Sequence, residues 1–396
     1  MIPYSEALEK ILSEVRIYPS EIVSLDQTLG RVLAEDIVAD RDYPPFHRSA
    51  MDGFALNSRD YTPNQIYPYH RELPAGMSLD LEPNEKAIRI MTGAPVPEGF
   101  DLVIKIEDAI LTEFNGQKQV SFSLKEVKSW QNIAKQGEDV KNNQLVLPKG
   151  SQIGTSEFSL LASLGKAMVP VIKAPKVHII STGNEVVSIQ TSPLPYQIRD
   201  SNSYTITSIL SKYKIQPESV THVPDLELEI TEQIQKGLEA DILILSGGVS
   251  MGSMDLVPSI LQRLGVELVF HKTSIKPGKP IWFGKRKNTI VFGMPGNPFS
   301  VQTCSRIFLE PFLRKSYGQN QLPSYKLPYF TTKQKKGALT EFFPVRLETA
   351  DKTYLTPLAF NGSGDIRAGI FSDGLAIFPS DLSQIQQGDM IEFLPW

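Results

Sequence analysis

Side chains able to do chemistry gather in a few short turns of this chain. The stretch Asp241 to Asp255 reads DILILSGGVSMGSMD and sets Ser246, Gly247, Gly248, Ser250 and Ser253 ahead of Asp255. Glycine serves where the backbone needs positive φ or where a ligand approaches it closely, so a Gly pair among hydroxyls suggests a lined cup. Asp255 then has two readings. It caps a helix starting at Leu256, with Pro258 in the first turn, or it is a carboxylate at the rim of that cup. A second polar turn is Ser181-Thr182-Gly183-Asn184-Glu185, and a third is Gly293-Met294-Pro295-Gly296-Asn297-Pro298. The third precedes a helix and presents backbone N–H groups, with Asn297 equally a cap or turn residue.

Ile275-Lys276-Pro277-Gly278-Lys279-Pro280 supplies charge. Its prolines stiffen the loop, so Lys276 and Lys279 lose less freedom on holding an oxyanion than two lysines in a solvated turn. Two ammonium groups near a carboxylate such as Asp255 describe a place where an anion and a divalent cation meet. Asp200, Asn202 and Asp225 follow strands of the same region, and Asp52 sits in Met51-Asp52-Gly53; loop carboxylates are ordinarily just solvated. HExxH, Walker, GxSxG and CxxC patterns are absent, and the histidines show no metal-ligand spacing.

The elements that must position these turns follow from apolar patterning. Val177 to Ile180, Ile242 to Leu245 and Thr289 to Phe292 are unbroken apolar runs, which is how strands buried on both faces of a parallel sheet read. Each runs into one of the polar turns. Further strands are expected at Ser219 to Val223, Glu267 to Phe270 and Ile281 to Phe283, and helices at Ser203 to Tyr213, Leu226 to Leu238, Leu256 to Leu264 and Phe299 to Lys315. This alternation predicts a largely parallel, helix-covered sheet over 176–321, whose strand ends lie along one edge and converge on one ligand.

Around it the pattern changes. Helices are expected near Tyr4 to Val15, Gln27 to Glu35 and Ser156 to Leu164; Pro170 to Pro175 reads as a linker. The expected division is an N-terminal helical and linker domain from 1–45 and 148–175, an inserted β lobe at 46–147, the α/β domain at 176–321 and a C-terminal β domain at 322–396. Short strands such as Lys86 to Met91, Gln119 to Leu124 and Phe343 to Leu347 fill the β parts. Tyr317 to Pro328 joins the last two.

A length of 396 residues suggests several cores, and 41% apolar content is that of a globular protein. The net charge of −4, without a basic block, excludes a nucleic-acid footprint. The single cysteine, Cys304, among Val301, Ile307 and Phe308, excludes an internal disulfide framework and a cysteine metal cluster. The first residues read as an amphipathic helix and not as an export signal, and no apolar run approaches the ~20 residues of a membrane span, so a cytoplasmic protein is expected.

Six motifs in order, SAMDGFA from Ser49, MTGAPVPEG from Met91, STGNE from Ser181, SGGVSMGSMD from Ser246, IKPGKP from Ile275 and MPGNP from Met294, resemble the molybdopterin molybdenumtransferase family, bacterial relatives of the gephyrin E domain. The resemblance spans essentially the whole chain. It implies a homodimer of four-domain subunits with a molybdopterin-binding α/β domain, a barrel-like C-terminal domain and a site completed between subunits. It also implies an enzyme that takes adenylylated molybdopterin and molybdate, releases AMP and leaves molybdenum on the dithiolene, assisted by Mg2+. Carried over by position, it makes Asp255 the aspartate needed for cleavage and puts Lys276, Lys279, Ser300, Arg346 and Ser363 near molybdate. Glu185, Asp225, Asp52, Thr92 and Asp139 match further site positions, and Asp255 and Glu185 are the metal candidates. Thr182, Gly183, Asp200, Ser246, Gly247, Gly248, Ser250 and Pro295 to Pro298 complete the substrate-binding set. The chain departs from relatives after Ser363, where Asp365-Ile366-Arg367-Ala368 replaces a more serine-rich run, and at His47-Arg48. The competing readings are ATP-dependent adenylylation of molybdopterin, since the adenylyltransferase partner shares the α/β domain, and a gephyrin-like scaffold.

Overall fold

The computed structural model describes residues 1–78, 80–249 and 256–396; Ser250 and Asp255 lie outside them. The chain forms two compact units: Met1–Glu35, Lys149–Ala162 and Lys166–Trp396 in one, Asp36–Pro148 with Ser163–Gly165 in the other.

The first unit is organised by a six-stranded sheet. Its strands are β1 (Val177–Thr182), β2 (Ser219–Val223), β3 (Ile242–Ser246), β4 (Glu267–His271), β5 (Trp282–Arg286) and β6 (Thr289–Met294), in the spatial order β2-β1-β3-β6-β5-β4. The unbroken apolar runs do what their patterning requires. Ile242 and Ile244 pack into one core with Ile179, Phe292 and the Asn202–Ser211 helix residues Ile206 and Leu210. Leu243 and Leu245 face the opposite core with Ile230 and Ile234 of helix Glu227–Gly237 and Val257, Ile260 and Leu261 of helix Val257–Arg263. Each such side chain contributes about 1.5–3 kcal/mol on burial, so the sheet is the stable platform of the unit.

The β1–β2, β1–β3 and β3–β6 pairings are parallel, whereas β5 and β4 add antiparallel at the far edge. The expectation of a largely parallel sheet therefore holds for the half that carries the polar turns. β5 is antiparallel because only the short turn around Lys287 and Asn288 separates it from β6, too few residues for a crossover.

Two expectations outside the sheet fail. Gln27 to Glu35 is not a helix: a short 3-10 turn at Leu25–Gln27 gives way to extended chain in which Val32 bridges Gln152 and Leu33 bridges Val171. Gly30, at φ +83°, breaks the helical path and donates its N–H to the Ile153 carbonyl at 2.7 Å. Nor is Pro170 to Pro175 simply a linker. Met168–Ile172 is a strand paired with Ser20–Ser24, and the Pro170 carbonyl accepts from the Ala34 N–H at 3.0 Å. The N-terminal part of this unit thus has fewer helices than expected, namely Tyr4–Ser13 and Thr155–Ser163.

Beyond the α/β sheet a second six-stranded sheet runs in the order Ile275–Lys276, Thr340–Thr349, Gly374–Phe378, Met390–Pro395, Tyr325–Pro328, with Thr353–Pro357 also on Thr340–Thr349. Ile275 pairs with Thr340 and Lys276 with Glu341 in parallel register. The second unit contains short strands, with Gly53–Leu56 between Ile88–Ile90 and Leu102–Lys105 over a core of Phe54, Leu102, Ile104 and Phe122.

Candidate active site

The parallel registers set Ser181, Ser246 and Met294 in one row across β1, β3 and β6, so the three polar turns leave the sheet side by side. The chain passes from β1 out to β2 and then back across β1 to β3, which puts the topological switch between β1 and β3. Open α/β sheets bind ligands in the crevice there. Gly247 and Gly248 hold φ of +90° and +61° over Thr182; a Cβ on Gly247 would lie 2.4 Å from the Thr182 carbonyl oxygen. Only glycine lets this turn descend so close to its neighbour.

Asn202 ties the edge together. Its side-chain amide donates to Ser246 Oγ at 3.0 Å and to the Gly296 carbonyl at 2.7 Å, linking the exits of β3 and β6. Its Oδ1 and Thr182 Oγ1 are buried and find no hydrogen-bond partner among the described residues. The crevice is lined by Thr182, Glu185, Asp200, Asn202, Ser246, Gly247, Gly296 and Pro298, among others. Asp200 accepts from the Ser203 N–H at 3.0 Å and so stabilises the start of the Asn202–Ser211 helix. Asp225 and Asn184 exchange hydrogen bonds, Asn184 N–H to Asp225 Oδ2 at 3.1 Å and Asp225 N–H to Asn184 Oδ1 at 3.0 Å, which fixes the turn carrying Gly183 and the exposed Glu185.

A separate cleft of about 450 Å³ shares Gly296 with the crevice in its lining. It is lined by Lys276, Lys279, Pro295, Asn297, Ser300 and Ser363 together with Glu341 and Phe360. Asn297 takes the N-cap position of helix Pro298–Cys304 without a capping side-chain bond. Its amide instead donates to Ser363 Oγ at 2.8 Å, while the Ser363 carbonyl accepts from the Phe299 N–H at 3.0 Å. Both lysines are exposed, whereas Ser300 is buried. Cationic, amide and hydroxyl groups on a partly enclosed wall suit a small oxyanion.

Arg346 does not join this group. It lies opposite Thr356 on strand Thr340–Thr349, donates through Nε to the Phe371 carbonyl at 3.3 Å, and is absent from the cleft lining. Five positions along an extended strand separate it from Glu341, roughly 16 Å of rise. Glu341 was not a candidate in the sequence and enters through a strand pairing distant in the chain, whereas Asn202 was visible there with Asp200 and Asp225 as a polar residue after a strand.

In the second unit the Thr92 backbone N–H reaches Asp52 Oδ1 at 2.6 Å and the Thr92 hydroxyl reaches it at 2.9 Å. These bonds, the backbone one foremost, hold the Asp52 carboxyl below the usual carboxylate range. Asp139 is exposed and donates its N–H to the Tyr43 carbonyl at 3.0 Å.

A helix-covered sheet with a crevice at its topological switch point is the frame of a ligand-binding α/β protein, and residues 178–315 match the model of a probable molybdopterin binding domain. Residues 2–165 match the MoeA N-terminal region (domain I and II) and residues 331–396 the MoeA C-terminal region (domain IV). A molybdopterin molybdenumtransferase from Synechocystis is 32% identical over 403 residues, covering 100% of both chains, and one from Haemophilus influenzae is 36% identical over 335 residues, covering 84% of this chain and 81% of that one. A gephyrin from Dictyostelium discoideum is 34% identical, covering 80% of this chain and 50% of its own. The crystal structure of a molybdopterin biosynthesis moeA protein from Pyrococcus horikoshii OT3 superposes with a TM-score of 0.83 at 30% identity, covering 100% of each. The chain belongs to the molybdopterin molybdenumtransferase family, a family of transferases.

Proposed function

We propose that this enzyme inserts molybdenum from molybdate into adenylylated molybdopterin and releases AMP, acting as a cytoplasmic homodimer. The observation that carries the reading is that the switch-point crevice and the lysine-walled cleft share a wall at Gly296. A pterin phosphoanhydride lies in the first, against Thr182, Asn202, Ser246 and the glycine turn; a tetrahedral dianion lies in the second. Lys276 and Lys279 offset its charge, and the Asn297 and Ser363 side chains offer polar contacts.

Magnesium fits the described donors in kind. Mg2+ is commonly held by one or two carboxylates plus substrate phosphates, and Glu185 supplies an exposed carboxylate at the crevice. Among the described residues no group of three or more His, Cys, Asp or Glu gathers to hold a metal alone. When bound, the ion offsets phosphate charge during anhydride cleavage. Asp255, from its place in the sequence motif, holds the ion or orients the attacking water.

The test is kinetic. Lys276→Ala and Lys279→Ala should raise the molybdate KM at least about 10-fold, as loss of a charge-assisted contact does, while leaving binding of adenylylated molybdopterin near parental. Unchanged molybdate dependence in both variants removes the cleft from the reaction. Asp255→Asn should cut AMP release by at least about 100-fold, the lower range for a positioned catalytic group, with the melting temperature kept.

A further inference from the structure

One carboxylate stands in the wall of the cleft that is otherwise furnished for anions. Glu341 is only 8% exposed and lies directly across the strand pairing from Lys276. Its Oε1 is 3.9 Å from Lys276 Nζ and 3.6 Å from Lys333 Nζ. Lys333 is itself held over the Phe343 ring, 4.7 Å from the centroid. Nearby Lys335 is already engaged, donating to the Leu339 carbonyl at 2.7 Å and to Pro379. Two lysines thus share one buried carboxylate, and one of them, Lys276, also faces the cleft.

Resting on the proposed use of this cleft for molybdate, we infer that Glu341 is its specificity-determining residue, a built-in competitor that lowers the affinity for tetrahedral dianions. The carboxylate stands within ion-pair reach of Lys276 and repels whatever anion enters the cleft. Its effect is linear in ligand charge, so it opposes a dianion twice as strongly, in free energy, as a monoanion of the same shape. Lysines alone would hold any abundant dianion, phosphate or sulfate included. With Glu341 present that attraction is weakened for every dianion alike, so the residue shifts the balance between dianions and monoanions and leaves the choice among dianions to the hydroxyl and amide contacts.

The scale follows from Coulomb's law. A unit charge and a dianion about 7 Å apart in a water-like dielectric interact by enough to change affinity roughly 7-fold, and a monoanion roughly 2.6-fold. Titration calorimetry with molybdate and with perrhenate, a tetrahedral monoanion, on the full-length protein measures both. Glu341→Gln is expected to tighten molybdate about 5- to 10-fold and perrhenate by about the square root of that factor, whereas Glu341→Asp, which keeps the charge, stays within about 2-fold of the parent.

Unchanged or weaker molybdate binding by a folded Glu341→Gln protein overturns the inference, and so does an equal gain for both anions, which points to relaxed sterics. Lys276→Ala measured alongside separates the two claims. If it loses molybdate while Glu341→Gln gains nothing, the cleft is the anion site and only the role of Glu341 is wrong; if it loses nothing, the cleft assignment fails first. Should Glu341→Gln not fold, Lys333→Met leaves the carboxylate less compensated and is expected to weaken molybdate about 2- to 5-fold, by the same Coulombic scaling. No weakening there overturns the inference equally.

Discussion

Replacing Gly247 by alanine puts the tightest point of the sheet edge under load. The new methyl carbon falls 2.4 Å from the Thr182 carbonyl oxygen and 3.1 Å from its hydroxyl, and the residue must hold φ near +90°. A left-handed backbone costs a residue with a Cβ about 1–2 kcal/mol, and inserting a methyl into a packed site costs about 1–3 kcal/mol. The loss should therefore lie between about 2 and 5 kcal/mol, because the carbonyl it strikes belongs to β1 and has little room to retreat. Gly296 is the matched control: its nearest neighbour for an added Cβ is Gly247 Cα at 3.9 Å, an ordinary contact, so Gly296→Ala should lose less than about 1 kcal/mol. Calorimetric unfolding of both variants, paired with calorimetric binding of adenylylated molybdopterin, reads stability and site shape together. Gly247→Ala should melt well below Gly296→Ala and bind the pterin weakly. Equal melting of the two variants would refute the packing argument, and full pterin affinity in Gly247→Ala would refute the placement of the pterin beside this turn.

The Asp52 carboxyl, held low by Thr92, stabilises its unit above the ordinary carboxylate pKa, and that contribution is lost as pH falls through the depressed folded value. Thr92→Val keeps the backbone donor and removes the hydroxyl, so the Asp52 titration followed by NMR should move part of the way up toward a free aspartate; no movement removes the hydroxyl from the account. Thr289 Oγ1 lies 2.9 Å from the Leu238 carbonyl and 2.7 Å from the Ala240 carbonyl in a buried site, so Thr289→Val should cost about 1–3 kcal/mol in chemical denaturation. Cys304 is fully buried, with its thiol pKa pushed up by burial and Sγ 3.7 Å from the Gly278 carbonyl. It should resist a thiol reagent at neutral pH in the native protein and react only in denaturant; rapid native labelling would contradict that burial.

The strands of the α/β sheet were legible because burial on both faces writes itself as an unbroken apolar run. Val177 to Ile180 and Ile242 to Leu245 needed only extension through Thr182 and Ser246, and Ser219 to Val223, an edge strand of alternating burial, was found as expected without such a run. The turns were legible for the same reason: glycines and hydroxyls cannot continue such a run. What local patterning could not carry was pairing at a distance. Gln27 to Glu35 alternates well enough to read as helix until Val32 and Leu33 find bridge partners far along the chain. Pro170 reads as a breaker until the strand pairing uses its carbonyl. Arg346 was placed near the anion by motif position, yet the register of strand Thr340–Thr349 brings Glu341 to the cleft. Asn297 was an even choice between a ligand-facing group and no more than a helix cap or turn residue, and only the approach of Ser363 decides which bond its side chain makes.

Helix Tyr4–Ser13 rests on partners made much later. The Tyr4 ring lies 5.7 Å from Phe308 and 5.1 Å from Phe342, and Ala7 and Ile11 are buried in the same core. During synthesis at roughly 5–20 residues per second, the roughly 340 residues between Tyr4 and Phe342 take about 15–70 s to emerge. Until Phe308 and then Phe342 have emerged, the Tyr4 end of the first helix lacks these native aromatic partners. A chain that is halted or truncated before Phe342 therefore leaves the Tyr4 end of this apolar stripe partly uncovered, open to whatever binds exposed apolar helices.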